Sequence, residues 1–254
     1  MSKIISILGG KGGTGKSVTA INLGVALNEF DKSSIVIDGN LTTPNIGIYL
    51  GMPVVPVTLH HVLQKKNDIK EAMYLHPSGI KVIPGDISTS QLKNVDPLKL
   101  EKVMADLEGL ADYIIIDAAA GLGREAIAAI KASDNVLIVT NPEMPAVCDA
   151  LKSIQIIKEM KKQVLGVVLT RSRNDGLDMN TRDIENMLEY PIIGVIPEDN
   201  NVRKSMVLKN PVVFLNPKSE ASVAYRKLAA NLTGNKYEER IEKKKGFFSR
   251  LFGF

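Results

Sequence analysis

One glycine-rich run, Gly9-Gly10-Lys11-Gly12-Gly13-Thr14-Gly15-Lys16-Ser17, limits what this chain can fold into more than any other feature. It follows Ile4-Ile5-Ser6-Ile7-Leu8, which reads as a strand, and it opens a stretch whose apolar residues recur at helical spacing. From Gly10 to Ser17 it satisfies G-x-x-x-x-G-K-[ST]. Glycines suit such a loop because backbone N–H groups must wrap an anion with no Cβ in the way. The helix that follows adds the partial positive charge of its N-terminus. In this pattern Lys16 reaches the β- and γ-phosphates of a nucleotide, and the Ser17 hydroxyl ligates Mg2+.

The rest of the chain agrees with that start. Short β-branched runs alternate with helical patterns, the sequence form of a parallel sheet covered on both faces. Strands are expected at 4–8, 34–38, 81–84, 113–117, 135–140, 164–170, 192–196 and 212–215. Helices are expected at 16–29, 97–107, 124–132, 145–160, 179–188 and 221–232. Ile114-Ile115-Ile116 and Val136-Leu137-Ile138-Val139 are apolar on both faces, as buried strands are. The fold class is therefore α/β, a doubly wound, mostly parallel sheet flanked by helices, over residues 1–235, with a separate tail at 236–254. The lone Cys148 excludes a disulfide framework, a CxxC pair or a thiolate metal site within one chain. Residues 1–10 lack the features of a signal peptide, and no apolar stretch reaches the ~18 residues of a membrane span. An intracellular protein is expected.

Lys11 is a second lysine that the plain motif does not require. With it, the run Lys11-Gly12-Gly13-Thr14-Gly15-Lys16-Ser17 resembles the deviant Walker A motif of the MinD/ParA ATPase family. Ile35-Val36-Ile37-Asp38-Gly39-Asn40 resembles that family's D-x-D element at the end of the next strand. Asp117, after Tyr113-Ile114-Ile115-Ile116, is similar to its Walker B aspartate, and Thr140-Asn141-Pro142-Glu143 to its T-x-P-E element. Ile196-Pro197-Glu198-Asp199 resembles its adenine-side loop, with Pro211-Val212-Val213 after it. The resemblance covers nearly the whole chain and is closest to the MinD-type branch.

That resemblance implies an ATPase using ATP and Mg2+. The nucleotide would be held by Gly10, Lys11, Gly12, Gly13, Thr14, Gly15, Lys16 and Ser17. Gly121 would present a backbone N–H to the γ-phosphate, while Thr170, Arg171, Pro197, Glu198 and Asp199 would surround the base. Ser17 and Asp117 would serve the metal, Asp117 through its water shell. Lys11 would cross to the partner subunit's nucleotide, so that ATP binding drives a homodimer. Catalysis would rest on Lys11, Lys16, Asp38 and position 40.

Two departures stand out. The second acidic residue of D-x-D orients the attacking water in the family, and here that position is Asn40. An amide holds water by hydrogen bonding but supplies no negative charge. Hydrolysis is therefore expected to be slow unless a partner protein assists, or Asp38 takes over the water. The Asn-Arg pair usual at the base is replaced by Thr170-Arg171, which leaves the Thr170 hydroxyl to meet adenine.

Net charge is +4, but residues 236–254 hold six basic and three acidic residues, so the body is nearly neutral. That argues against a broad nucleic-acid surface; Lys161-Lys162 and Arg171/Arg173 are only modest clusters. DNA is not expected as a partner on these grounds. Four of the six Phe residues (Phe247, Phe248, Phe252, Phe254) end the chain beside Leu251. With Lys243, Lys244, Lys245 and Arg250 they form an amphipathic pattern suited to an anionic membrane surface. The chain here resembles MinD-type proteins, whose C-terminal helix targets the cytoplasmic face of the membrane. A DNA-partitioning ATPase and a flagellar-number regulator of the same family are the alternatives. His60, His61 and His76 have no metal-like spacing and are assigned surface or packing roles.

Overall fold

The computed structural model describes residues 1–92, 95–173 and 175–237. The strands are β1 (Lys3–Leu8), β2 (Ser34–Gly39), β3 (Tyr74–Leu75), β4 (Lys81–Ile83), β5 (Tyr113–Ala118), β6 (Asn135–Thr140), β7 (Gln163–Ser172) and β8 (Ile192–Pro197). They form one sheet in the order β3-β4-β2-β5-β1-β6-β7-β8, parallel throughout except for β3. Strands β2 and β5 are buried along their whole length, which is why their sequences do not alternate.

Apolar side chains fill both faces of the sheet. One layer gathers Leu8, Ile35, Ile37, Ile114, Ile116 and Ile138; the other gathers Ile5, Ile7, Val36, Ile115, Leu137 and Val139. Each fully buried Ile or Leu contributes about 1.5–3 kcal/mol. Helix α1 (Lys16–Asn28) runs from the phosphate loop and is buried nearly all round, between the sheet and the last helix, Glu220–Thr233. The remaining helices are α2 (Ile46–Tyr49), α3 (Leu59–Leu63), α4 (Leu100–Ala105), α5 (Arg124–Lys131), α6 (Met144–Glu159), α7 (Thr181–Leu188), α8 (Asn200–Val207) and α9 (Val212–Leu215), so the last is α10.

Three local results differ from the sequence expectation. Residues 212–215, expected as a strand, form the short helix α9. Pro211 starts it with φ −63°, and the Val213 N–H donates to Asn22 Oδ1 on α1 at 3.1 Å. Its valines are buried against helices, and the sheet already ends at β8. The expected helix 97–107 begins as a 3₁₀ turn, Pro97–Lys99, before α4. Helices α2, α3 and α8 and strand β3 lie outside the expected elements.

His60 has a packing role. It is fully buried on α3, where its Nδ1 accepts from the Asp86 N–H and its Nε2 donates to the Leu41 carbonyl, each at 3.0 Å. Burial holds the ring below the usual histidine pKa and keeps it neutral. The ring thereby ties the segment after β2 to the body of the domain.

Candidate functional site

Strands β2, β5 and β1 are neighbours, so their C-terminal ends bring three segments to one edge of the sheet. Gly9–Ser17 follows β1, and Asp38 and Asp117 are the penultimate residues of β2 and β5. This is where α/β sheets hold ligands, at a strand crossover. The loop needs glycine at two places for different reasons. Gly15 sits at φ +87°, which side chains with a Cβ avoid. At Gly10, an added Cβ would lie 2.4 Å from Asp149 Cβ and 2.6 Å from the Asp149 carbonyl carbon on α6. Beneath the loop, the Thr170 hydroxyl donates to the Thr14 carbonyl at 2.6 Å and accepts from Asn141 Nδ2 at 3.0 Å.

Parallel register sets Asp38 directly opposite Asp117. Asp38 is fully buried; its Oδ2 accepts from the N–H groups of Asn45 and Ile46, both at 2.9 Å, and its Oδ1 from Asn40 N–H at 3.3 Å. It therefore anchors the start of α2. Burial and the neighbouring Asp117 push the Asp38 carboxyl well above the usual range. Asp117 is also buried, and neither of its carboxylate oxygens has a hydrogen-bond partner. Burial pushes it up to about 6, against the opposing pull of the nearby Ser17 hydroxyl and Lys16 ammonium, neither of which closes a hydrogen bond to it. Lys16 is itself 8% exposed, and burial lowers its pKa while Asp117 raises it.

These residues fit a hydrated divalent cation beside a polyphosphate. Hard oxygen donors from Ser17 and Asp117 match Mg2+, which keeps several waters and takes its other ligands from phosphates. The unpartnered buried carboxylate is the observation that calls for a positive charge.

A cavity of about 250 Å³ opens over the loop, lined by Gly12, Gly13, Gly15, Lys16 and Ser17 on one side. Val18, Asn40, Thr43, Asn45, Tyr49, Ala118, Ala120, Arg171 and Met206 line the rest. Asn40 is half-buried; its Nδ2 donates to the Thr43 carbonyl at 2.6 Å and its Oδ1 accepts from the Thr43 hydroxyl at 3.1 Å. Two residues further on, the Thr42 hydroxyl donates to Glu125 on α5, and the Thr42 N–H reaches the same carboxylate at 3.3 Å. The loop carrying Asn40 is thus fixed by Asp38 at one point and Glu125 at another. Glu125, Asn45, Tyr49 and Met206 carry no sequence motif; only Asp38 with a helix start eight residues later offers a signal.

Several expected contacts take other forms. The Gly121 N–H donates to the Gly9 carbonyl at 3.2 Å instead of facing the cavity, holding the segment after β5 against the loop. Thr170 is 3% exposed and its hydroxyl supports the loop rather than reaching the base region, whereas Arg171 does line the cavity. Pro197 faces a separate groove of about 580 Å³ between β8 and α10. Glu198 pairs with Arg173 Nε at 3.0 Å, and Asp199 caps α8 by accepting from Asn201 N–H at 2.7 Å. Lys11 lies outside the cavity lining and pairs with Glu143 at 3.4 Å, both side chains being well exposed (37% and 60%). The tail residues Lys243, Lys244, Lys245, Phe247, Phe248, Arg250, Leu251, Phe252 and Phe254 lie outside the described residues. Among the described residues no helix is long and apolar enough to cross a membrane.

Comparison with known families places this geometry. Residues 5–212 match the CobQ/CobB/MinD/ParA nucleotide binding domain. The chain belongs to this family. An uncharacterized ATP-binding protein of Methanocaldococcus jannaschii is 40% identical over 252 residues, covering 99% of this chain and 96% of the relative. Among solved structures, the cell division ATPase MinD of Pyrococcus furiosus matches with a TM-score of 0.89 and 35% identity, over 92% of this chain and 99% of that one. The septum site-determining protein MinD of Pyrococcus horikoshii OT3, complexed with Mg-ADP, matches with a TM-score of 0.88 and 34% identity, over 91% and 96%. The family fold is a P-loop NTPase sheet, and the motifs of this chain fall on its ligand edge.

Proposed function

We propose that this chain is a MinD-like ATPase switch that binds ATP with Mg2+, forms a homodimer on doing so, and attaches reversibly to the cytoplasmic face of an anionic membrane to position a division-site or other surface structure. The observation that carries the nucleotide part is the buried, unpartnered Asp117 beside Lys16 and Ser17 under a complete phosphate loop. Lys16 would neutralise the terminal phosphates, Ser17 and Asp117 would hold the metal, and the loop amides would orient the chain of phosphates. The metal, when bound, polarises the phosphoryl group and offsets developing charge.

Lys11 supports the dimer. Its pair with Glu143 is an exposed one of a kind worth less than about 1 kcal/mol, so the side chain is readily released to a second subunit. Asn40 supports slow intrinsic turnover, because the cavity side of the loop offers an amide where a carboxylate would add charge. An activating or effector protein would then set the rate. Asn40→Asp is expected to raise the single-turnover hydrolysis rate by about tenfold or more. An unchanged or slower variant would count against that assignment.

Membrane attachment rests on the sequence of the tail. Each Lys or Arg near an anionic surface contributes about 1 kcal/mol, and each buried Phe at most ~3 kcal/mol. Ordering the segment offsets part of that sum, so one tail is a weak anchor and two on a dimer gain from effective concentration. The full chain should sediment with anionic liposomes several-fold more in ATP than in ADP, and a truncation after Asn235 should not. Binding to duplex DNA regardless of nucleotide, with no liposome binding, would instead favour the partitioning branch of the family.

A further inference from the structure

We infer that Glu125 is a positioning residue for hydrolysis: it sets where the loop that carries Asn40 lies over the cavity, without touching the nucleotide itself. The inference rests on the ATPase reading above and adds to it a residue that no motif marks.

The loop 40–45 leaves β2 at the phosphate edge of the sheet, and many of its hydrogen bonds close on itself or on its own strand. Asp38 takes the N–H groups of Asn40, Asn45 and Ile46. The Thr43 carbonyl accepts from Asn40 Nδ2 at 2.6 Å and from Asn45 Nδ2 at 2.9 Å, while the Thr43 hydroxyl donates to Asn40 Oδ1 at 3.1 Å. The Asn40 amide is therefore aimed by Thr43 and goes where Thr43 goes. These bonds give the loop its shape; bonds to other elements give it its place. The Leu41 carbonyl is held by His60 of α3 at 3.0 Å, and Thr42 is held by Glu125 of α5.

The Glu125 bond leads back to the phosphates. Glu125 stands in the first turn of α5, where the helix N-terminus favours a carboxylate. One of its oxygens accepts the Thr42 hydroxyl and the other the Thr42 N–H at 3.3 Å, so both are spent on one residue. Behind it, Ala126, Ala129 and Ile130 are buried in the same apolar layer as Ile114 and Ile116 of β5. The segment from Asp117 to α5 runs past the cavity, which Ala118 and Ala120 line, and its Gly121 N–H donates to the Gly9 carbonyl. Glu125 thus belongs to a frame that already includes Asp117 and the phosphate loop. Thr42 passes that frame on to Thr43 and so to Asn40. Glu125 itself does not line the cavity. A misplacement of about 1 Å in a group that orients the attacking water costs up to about a hundredfold in rate, while the loop amides that hold the phosphates stay in place.

Thr42 is exposed, so it can be altered without disturbing the core. Thr42→Val and Glu125→Ala are each expected to slow single-turnover hydrolysis of Mg-ATP by about tenfold, with the ATP dissociation constant changed by less than about threefold. Combined, they should cost no more than either alone. Thr42→Ser keeps the hydroxyl and should keep the rate of the unaltered chain. In an Asn40→Ala background, Glu125→Ala should have no further effect. A bond that merely stabilised the fold would move rate and affinity together, or add its loss to that of Asn40→Ala. Either result, or an unchanged rate in both Thr42→Val and Glu125→Ala, overturns the inference while leaving nucleotide binding intact. Failure of the unaltered chain to bind ATP overturns the nucleotide reading and this inference with it.

Discussion

Asp117→Asn is expected to make the nucleotide-free protein more stable at pH 8 by about 2–3 kcal/mol while lowering Mg2+-dependent hydrolysis by about a hundredfold or more. The stability half follows from burial. Asp117 has no hydrogen-bond partner, and its carboxyl is pushed up to about 6 in the folded state against an ordinary value of 3.8. Between those two pH values the folded state holds a proton that the unfolded chain has lost. The contribution of Asp117 is thus fully present below its unfolded value and is lost as pH rises through the folded one. The gain from asparagine should accordingly be near zero at pH 4 and complete above pH 7. The catalytic half follows from the charge that asparagine cannot supply to a magnesium ion's water shell. Urea unfolding at pH 4.5 and pH 8, with and without Mg-ATP, separates the two. A variant that is less stable at both pH values would refute the buried-charge argument.

Gly10→Val should abolish nucleotide binding and destabilise the fold by about 2–4 kcal/mol. The reason is contact, not backbone freedom. The first carbon of any side chain at Gly10 would meet Asp149 of α6 at 2.4–2.6 Å, and two of those three contacts are with backbone atoms. Either the loop lifts off α6 or α6 shifts, and Asn141 and Thr170 brace that same region. Gly12→Ala is the control for the fold alone, since no protein atom lies within 4 Å of a Cβ there. Calorimetric titration with ATP and a thermal melt of both variants would decide. Comparable affinity in Gly10→Val would remove α6 from the account of the loop.

Much of this site is legible in the residues alone. The phosphate loop, Asp38 and Asp117 each stand at the C-terminal end of a strand that the apolar runs mark correctly, and the strand that precedes Gly9 fixes where they meet. Legibility fails where tertiary context overrides local pattern. Val212-Val213-Phe214-Leu215 has strand composition, yet it lies beyond the last strand and coils against α1 under Pro211. The hydroxyl of Thr170 reads as a base contact from its position on the chain. Its partner, the Thr14 carbonyl, is 156 residues away in sequence and visible only in space. Helix α8 carries a mostly polar sequence, and its one strong signal is Asp199 as a cap. The opposing register of Asp38 and Asp117 can be guessed from the motifs, but not the burial that raises both.

The mounting of α10 has a mechanical consequence. Tyr225 is buried against Thr19 of the phosphate-loop helix with 3.4 Å between their hydroxyls, and Arg226 grips Glu29 at the far end of that helix. The Tyr113 hydroxyl, on the strand that carries Asp117, donates to the Leu232 carbonyl in the final turn of α10 at 3.1 Å. The stem from which the chain leaves the domain is therefore bolted to the two elements that face the phosphates. These contacts couple the end of α10 directly to the phosphate-loop helix and to the strand that carries Asp117. Under the proposed dimer, a signal would leave the domain as a change in how many such stems stand side by side.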